Sequence, residues 1–142
     1  MERNAAAIES ELGSRISGVS VSVRGHTDLA LAAGETPVTL KKFSGNSQRR
    51  HKRALLFHGT FLLQLDLPLM AELLRMPSQE PDYRRHRSHT EFLTNLDLPA
   101  ARVKDALCQA WKVTGKLPDF PARETARLAA EKYSRPEWNF KS

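Results

Sequence analysis

Cysteine is almost missing from this chain: Cys108 is the single thiol in 142 residues. One thiol excludes an internal disulfide framework and a cysteine-rich zinc site, and it suits a reducing compartment. Aromatic residues make up only 7%. That leaves few rings to stack on bases, and Tyr83 is the only one beside a basic cluster. No apolar run is long enough to span a membrane. The start, Met1-Glu2-Arg3-Asn4, has no apolar signal core and carries an acid too early for a transit peptide. These absences predict a cytoplasmic protein with neither a membrane nor a nucleic-acid partner.

What is present is a modest apolar fraction, 40%, and an excess of cations, 22 Lys and Arg against 16 Asp and Glu, for a formal charge of +6. The length suits one domain over residues 1–142, and the charge favours anionic partners without choosing among them.

Local patterning predicts an α+β fold, with a mostly antiparallel sheet flanked by helices. Asn4 is placed to cap a short helix through Ile8 and Leu12, with Gly13 as its stop. Val19, Val21 and Val23 alternate with polar residues as in a half-buried strand. After a turn at Gly25-His26-Thr27, Asp28 to Ala32 reads as a second strand, and a loop over Gly34 to Pro37 returns to a third, Val38 to Phe43. These three strands form a meander. Ala54 to Leu65 is apolar enough to predict a central strand, bent at Gly59. Helices are expected over Pro68 to Met76, with Met70, Leu73 and Leu74 inward, over Pro99 to Val113, closed by Gly115, and over Arg123 to Tyr133. The tail carries Trp138 and Phe140, two aromatics expected to dock.

The chemistry centres on Lys42. In the strand reading Val38, Leu40 and Lys42 share one face, which puts an ammonium on an apolar surface just before a turn containing Gly45. A partly desolvated ammonium needs an anion from the protein or from a ligand, and a lysine snorkelling from a strand end is the bland alternative. Asp28 opens the preceding strand and lies within reach. The pair reads either as a plain salt bridge or as a site, in which Lys42 neutralises charge on a carboxyl or phosphoryl oxygen while Asp28 orients it or holds magnesium.

Other residues say less. His58 stands beside Gly59, where a ligand could approach the main chain, or it is a satisfied core histidine. The histidines show no zinc spacing, so no structural metal is expected. Cys108 reads as a buried, inert thiol, and Ser44 and Ser47 lack the nucleophile frame of a serine hydrolase. The clusters Arg49 to Arg53 and Arg84 to Arg87 are by default solvated faces.

From Arg24 to Leu96, and faintly to the tail, the chain resembles the lipoate-protein ligase A branch of the biotin/lipoate ligase catalytic domains. Gly25-His26-Thr27-Asp28-Leu29 resembles that family's Asn-Asp-Leu strand start, with Thr27 in place of the asparagine. Lys42-Phe43-Ser44-Gly45-Asn46-Ser47 resembles its Lys-x-Ser-Gly-x-Ala segment, and His58-Gly59-Thr60-Phe61-Leu62 its His-Gly-Thr-Leu-Leu strand. Thr94-Asn95-Leu96 and Glu137-Trp138-Asn139-Phe140 follow in the family's order.

The resemblance implies that lipoate and ATP, with Mg2+, form lipoyl-adenylate, and that a lysine of an acceptor lipoyl domain then takes the acyl group. It implies Lys42 as the catalytic lysine, Asp28 as its orienting or magnesium-linked partner, and Ser44, Gly45, His58 and Gly59 as substrate or adenylate contacts. The family's upstream Arg-Arg-x-x-Gly-Gly-Gly motif has no counterpart here. The expectation is therefore the second half of a catalytic domain, without an accessory domain and completed by a separately encoded N-terminal half. Two rivals stand beside the ligase: an octanoyl or lipoyl transferase working through Cys108, and an inactive or partner-dependent module that binds anions through the basic clusters.

Overall fold

The computed structural model of the chain describes residues 1–33, 39–116 and 119–140. The expected loop over Gly34 to Pro37, and Val38 of the third strand, lie outside them. In order, the elements are α1 (Glu2–Gly13), β1 (Val19–Arg24), β2 (Asp28–Ala33), β3 (Lys41–Arg50), β4 (Leu55–Phe61), α2 (Leu67–Leu73), α3 (His89–Phe92), α4 (Ala100–Ala110), α5 (Ala122–Leu128) and α6 (Pro136–Asn139). The sheet runs β1-β2-β3-β4 with every neighbouring pair antiparallel, so the expected α+β class and the meander are both present.

Helices α1 and α4 cover one face of the sheet. The core there joins Ile8 and Leu12 to Val21, Leu29 and Phe43, with Leu96, Leu98 and Val103 closing it. Asn4 does not cap α1. The helix starts earlier, with Met1 in the cap position, and Asn4 lies inside it, buried, where its Oδ1 accepts the Trp111 indole N–H at 2.7 Å. A polar residue near a helix start is a cap only if the helix begins just after it. Glu9 on the same helix accepts the Val21 backbone N–H at 2.6 Å, so α1 also covers the outer edge of β1.

The largest departures from the sequence reading concern β3 and β4. Gly45 makes no turn: β3 continues through it to Arg50, in unbroken register with β4 from Ser44 opposite Phe61 to Arg50 opposite Leu55. Strand β4 is an edge, not the centre, and Gly59 sits in that register opposite Asn46 without a bend. Apolar content suggests burial, but it cannot say whether the layer that would bury a strand belongs to the same fold. Every residue from 47 to 60 is exposed, including Leu55 at 59%, Leu56 at 57% and Phe57 at 39%.

The helices also differ in detail. Asp66 caps α2 by accepting from the Leu69 N–H at 2.9 Å, but α2 stops at Leu73, and Leu73 and Leu74 are exposed rather than inward. Helix α4 ends at Ala110, before Gly115. Helix α5 passes into a π-helical turn over Ala129–Tyr133, as long as the expected last helix. The tail packs on that turn and not on the sheet, with Trp138 edge-on to Tyr133 at 5.1 Å and Phe140 exposed.

Truncating the fully buried Phe43 to alanine should cost about 3–5 kcal/mol, while Leu73→Ala on the exposed side of α2 should cost less than about 0.5. Urea unfolding of the two variants checks this; equal costs would show that the helix-covered face is not the core.

Candidate active site

The site lies on the sheet face opposite α1 and α4, and an irregularity in β3 creates it. Leu29 and Ala30 of β2 face Ser44 and Lys42, so Phe43 is an extra residue on β3. Such a bulge re-aims the flanking side chains. Phe43 drops into the helix-covered core, while Lys42 emerges on the other face, half-buried and beside the space a Cβ on Gly45 would take. That Cβ would stand 3.3 Å from Nζ, so a side chain at position 45 would press on the ammonium. Lys42 thus does turn away from solvent, though not toward the main core. Its backbone is held as well: the Lys42 carbonyl accepts from Thr94 N at 3.0 Å, and residue 42 bridges Leu93 in parallel.

Asp28 and Lys42 meet as the sequence suggested. Nζ lies 2.7 Å from Oδ1, with the side chains 26% and 14% exposed. The other carboxylate oxygen, Oδ2, accepts the Tyr83 phenol at 2.9 Å. Tyr83 was not identified from sequence, where it stood out only as a ring beside cations. Burial, followed by the hydrogen bond to Asp28 and its negative charge, pushes the phenol well above its ordinary range. It is therefore a donor at any working pH.

Two cavities meet at this lysine. One, about 520 Å3, has Leu62, Met70, Leu74, Phe92 and Leu93 around Ser44 and Gly45, with Arg75, Arg84 and His89 at its wall. The other, about 700 Å3, is a groove of charged residues along Arg24, His26, Asp28, Glu80 and Asp82 to Tyr83. Lys42 lines both, and so do Gln79 and Pro81 of the intervening loop.

That loop is held by cations the sequence reading left to solvent. Arg84 is buried; its Nε donates to the Arg87 carbonyl at 3.0 Å and lies 3.6 Å from Glu80. Arg87 donates to the carbonyls of Leu40 at 2.9 Å and Tyr83 at 2.8 Å. Both guanidiniums lie against the Phe92 ring, at 4.8 and 5.3 Å. A cation run in sequence reads as surface because its carbonyl and ring partners are scattered along the chain. By contrast Arg49 to Arg53, at the tip of the β3-β4 hairpin, is exposed throughout.

Of the six sequence-derived site residues, Asp28, Lys42, Ser44 and Gly45 come together, and His58 and Gly59 do not join them. His58 is exposed opposite Ser47, neither in a core nor in the lining of either cavity. Gly59 acts behind the site: a Cβ there would fall 1.9 Å from the Asn46 side-chain oxygen. The freed space lets the Asn46 Nδ2 donate to the Thr27 carbonyl at 2.7 Å and to Ser44 Oγ at 3.1 Å, while Thr27 Oγ1 donates back to the Asn46 carbonyl at 2.6 Å. Thr27 therefore pins the β1-β2 turn that carries Asp28. Asn95 is structural too, exchanging two hydrogen bonds with the Leu65 backbone. Cys108 is half-buried on α4 and lines neither cavity.

Magnesium at Asp28 would compete with the present partners of both carboxylate oxygens, the Lys42 ammonium at Oδ1 and the Tyr83 phenol at Oδ2. No described helix is long and apolar enough to cross a membrane.

Residues 9–112 match the model of the lipoyl protein ligase A/B catalytic domain. A curated relative, the octanoyltransferase LipM of Kyrpidia tusciae, is 33% identical over 120 residues, covering 75% of this chain and 43% of its own length. Two solved structures share the fold. A chain of a bi-partite lipoate protein ligase from Thermoplasma acidophilum, solved in work that includes its E2 lipoyl domain, superposes with a TM-score of 0.64 at 24% identity, covering 97% of this chain and 56% of that one. Lipoate-protein ligase A bound with ATP gives 0.65 at 23% identity, over 96% and 56%. The chain thus spans about half the length of the proteins it matches. Its matched segment covers the sheet, the bulge, Lys42 and the loop around both cavities, and on that ground the chain belongs to the lipoyl protein ligase A/B catalytic domain family.

Proposed function

We propose that this chain is the acyl-binding, lysine-bearing half of an enzyme that transfers a lipoyl or similar acyl group to a lysine of a lipoyl domain. The observation that carries the reading is Lys42 at the seam between the two cavities. An acyl chain fits the first, and its carboxyl carbon then lies beside the ammonium. In the transfer, the acceptor amine attacks that carbon, the amide C–N bond forms and the bond to the leaving group breaks. The amine proton leaves to solvent. Lys42 supports the charge that gathers on the acyl oxygen, an effect that grows in a partly dry site.

For the donor we favour an acyl-adenylate made from lipoate and ATP. This route needs no enzyme thiol, and Cys108 lines neither cavity. The LipM relative favours a second reading, in which an octanoyl group is the one transferred. ATP-dependent activation also places a demand on the rest of the enzyme. The larger groove sets Arg24 and Lys42 against Asp28, Glu80 and Asp82 and holds no surplus of cations for a triphosphate, while the adjoining cavity adds Arg75 and Arg84 to its wall. A complementary polypeptide would supply the further cations that a triphosphate calls for.

The seat for that polypeptide is β4. From Gly45 and Thr60 outward, β3 and β4 pair only with each other among the described residues, with Leu55, Leu56 and Phe57 open to solvent. A bare two-stranded ribbon is marginal in water, and an apolar edge strand invites pairing. This chain covers 56% of each solved neighbour, and the unmatched remainder is polypeptide enough to add strands there.

Lipoate, ATP, Mg2+ and an apo lipoyl domain, incubated with this chain and a polypeptide carrying the family's glycine-rich upstream motif, should give a lipoyl-sized mass gain on the acceptor. Lys42→Ala should abolish it, by at least about 100-fold. A gain only with carrier-bound octanoate would replace the ligase by the transferase; no gain from either donor would sink the acyl-transfer reading. Leu56→Lys should weaken binding of the complementary polypeptide by about tenfold or more in calorimetry, and unchanged affinity would remove β4 as its seat.

A further inference from the structure

The acyl-transfer reading leaves Tyr83 without a role, and its geometry is too well supported to be incidental. The phenol comes from the short 3-10 turn Asp82–Arg84, outside the sheet, and reaches the carboxylate that holds Lys42. Everything around it restrains it. The ring packs on Phe92 at 5.1 Å, and its carbonyl is tied by Arg87. At Gly25, an added Cβ would meet Pro81 at 3.4 Å and the Tyr83 ring at 3.8 Å, so the loop lies tight against the β1-β2 turn. Arg85 and His86, the next two residues, both take positive φ, 54° and 59°, a costly conformation for side chains of this size that fixes the loop's path.

We propose that Tyr83 is a positioning residue that holds Asp28 Oδ2, leaves Oδ1 aimed at Nζ, and so fixes the Lys42 ammonium at the seam between the two cavities. A carboxylate with one free oxygen rotates about its terminal torsion, which is soft. The ammonium at the end of its flexible stem follows it. With both oxygens engaged, the ion pair keeps one geometry, and Asp28 acts as one jaw of a clamp rather than as a cation ligand. The same loop supplies Gln79 and Pro81 to both cavities, so the wall dividing them and the clamp move as one piece.

This inference rests on the acyl-transfer reading for its catalytic meaning, but the clamp itself can be tested without turnover. The full chain, Tyr83→Phe and Tyr83→Leu would each be treated with N-hydroxysuccinimidyl acetate, and lysine acetylation followed by peptide mass spectrometry. Tyr83→Phe keeps the ring on Phe92 and loses only the hydroxyl. Labelling of Lys42 should rise by about three- to tenfold in Tyr83→Phe, the scale of one hydrogen bond to a charged group, with Lys104 and the melting temperature unchanged. In the complemented enzyme the same variant should lower kcat about tenfold and leave KM for the acyl donor within about twofold.

Unchanged Lys42 labelling in Tyr83→Phe would overturn the clamp. So would a rise seen only in Tyr83→Leu, since that would make the ring a packing element alone. If labelling rises but KM changes in place of kcat, the clamp serves binding, and the positioning role fails. A parent enzyme that transfers no acyl group would defeat the functional reading while labelling still decided the clamp.

Discussion

The ion pair between Lys42 and Asp28 is the constraint from which most of the site follows. A half-buried pair gains little unless its geometry is held and its remaining hydrogen-bonding capacity is used, because desolvation opposes the Coulomb attraction. Here four features hold the geometry. The bulge at Phe43 aims the lysine away from the helix-covered core, and the missing side chain at Gly45 leaves room for its ammonium. The reciprocal bonds of Thr27 and Asn46 pin the turn before Asp28, and Tyr83 takes the second carboxylate oxygen. Substituting the asparagine expected at position 27 by threonine therefore removes no anchor: the hydroxyl reaches a carbonyl, and the Asn46 amide returns a bond to the Thr27 backbone.

The same sheet serves two purposes on its two faces. One is closed by α1 and α4 around Phe43, which supplies the stability. The other is left to the short helices α2 and α3 and to a loop whose arginines lie against backbone carbonyls and the Phe92 ring, and this less regular face provides cavities. Stacked helices would fill that space. A loop braced by Arg84 and Arg87 keeps its shape without filling the sheet face, at the cost of a strained backbone at Arg85 and His86.

Local signals in the sequence were enough for the meander and for the neighbourhood of Asp28 and Lys42, because strand alternation and a short turn determine both. What stayed hidden depended on distant partners. Nothing near Tyr83 announces a carboxylate 55 positions earlier, and the burial of Arg84 needs Phe92, Glu80 and Met76 to be brought together first. Gly59 was read as a point of ligand approach, since a glycine next to a histidine gives no hint that an asparagine on the neighbouring strand needs its space. The central placement of β4 failed for another reason. Leu55, Leu56 and Phe57 are as apolar as an interior strand should be, and the error lay in taking apolar content for burial, since among the described residues β4 is an edge.

Charge placement argues the same way. The chain carries a formal +6, yet the larger groove beside Lys42 sets two formal cations against three anions. The excess sits elsewhere, much of it on the exposed tip of the β3-β4 hairpin. A groove of this balance suits one anionic carboxyl or acyl oxygen at the ammonium and gives a polyphosphate little attraction. Net charge alone would have suggested an anion site spread over the surface, whereas the cation both cavities share is the Lys42 ammonium. The cations that a triphosphate needs and the layer that β4 needs are separate deficits. Under the proposed reading both would be met by one change, a second body of polypeptide seated along the open edge, and that economy is the physical case for the proposal.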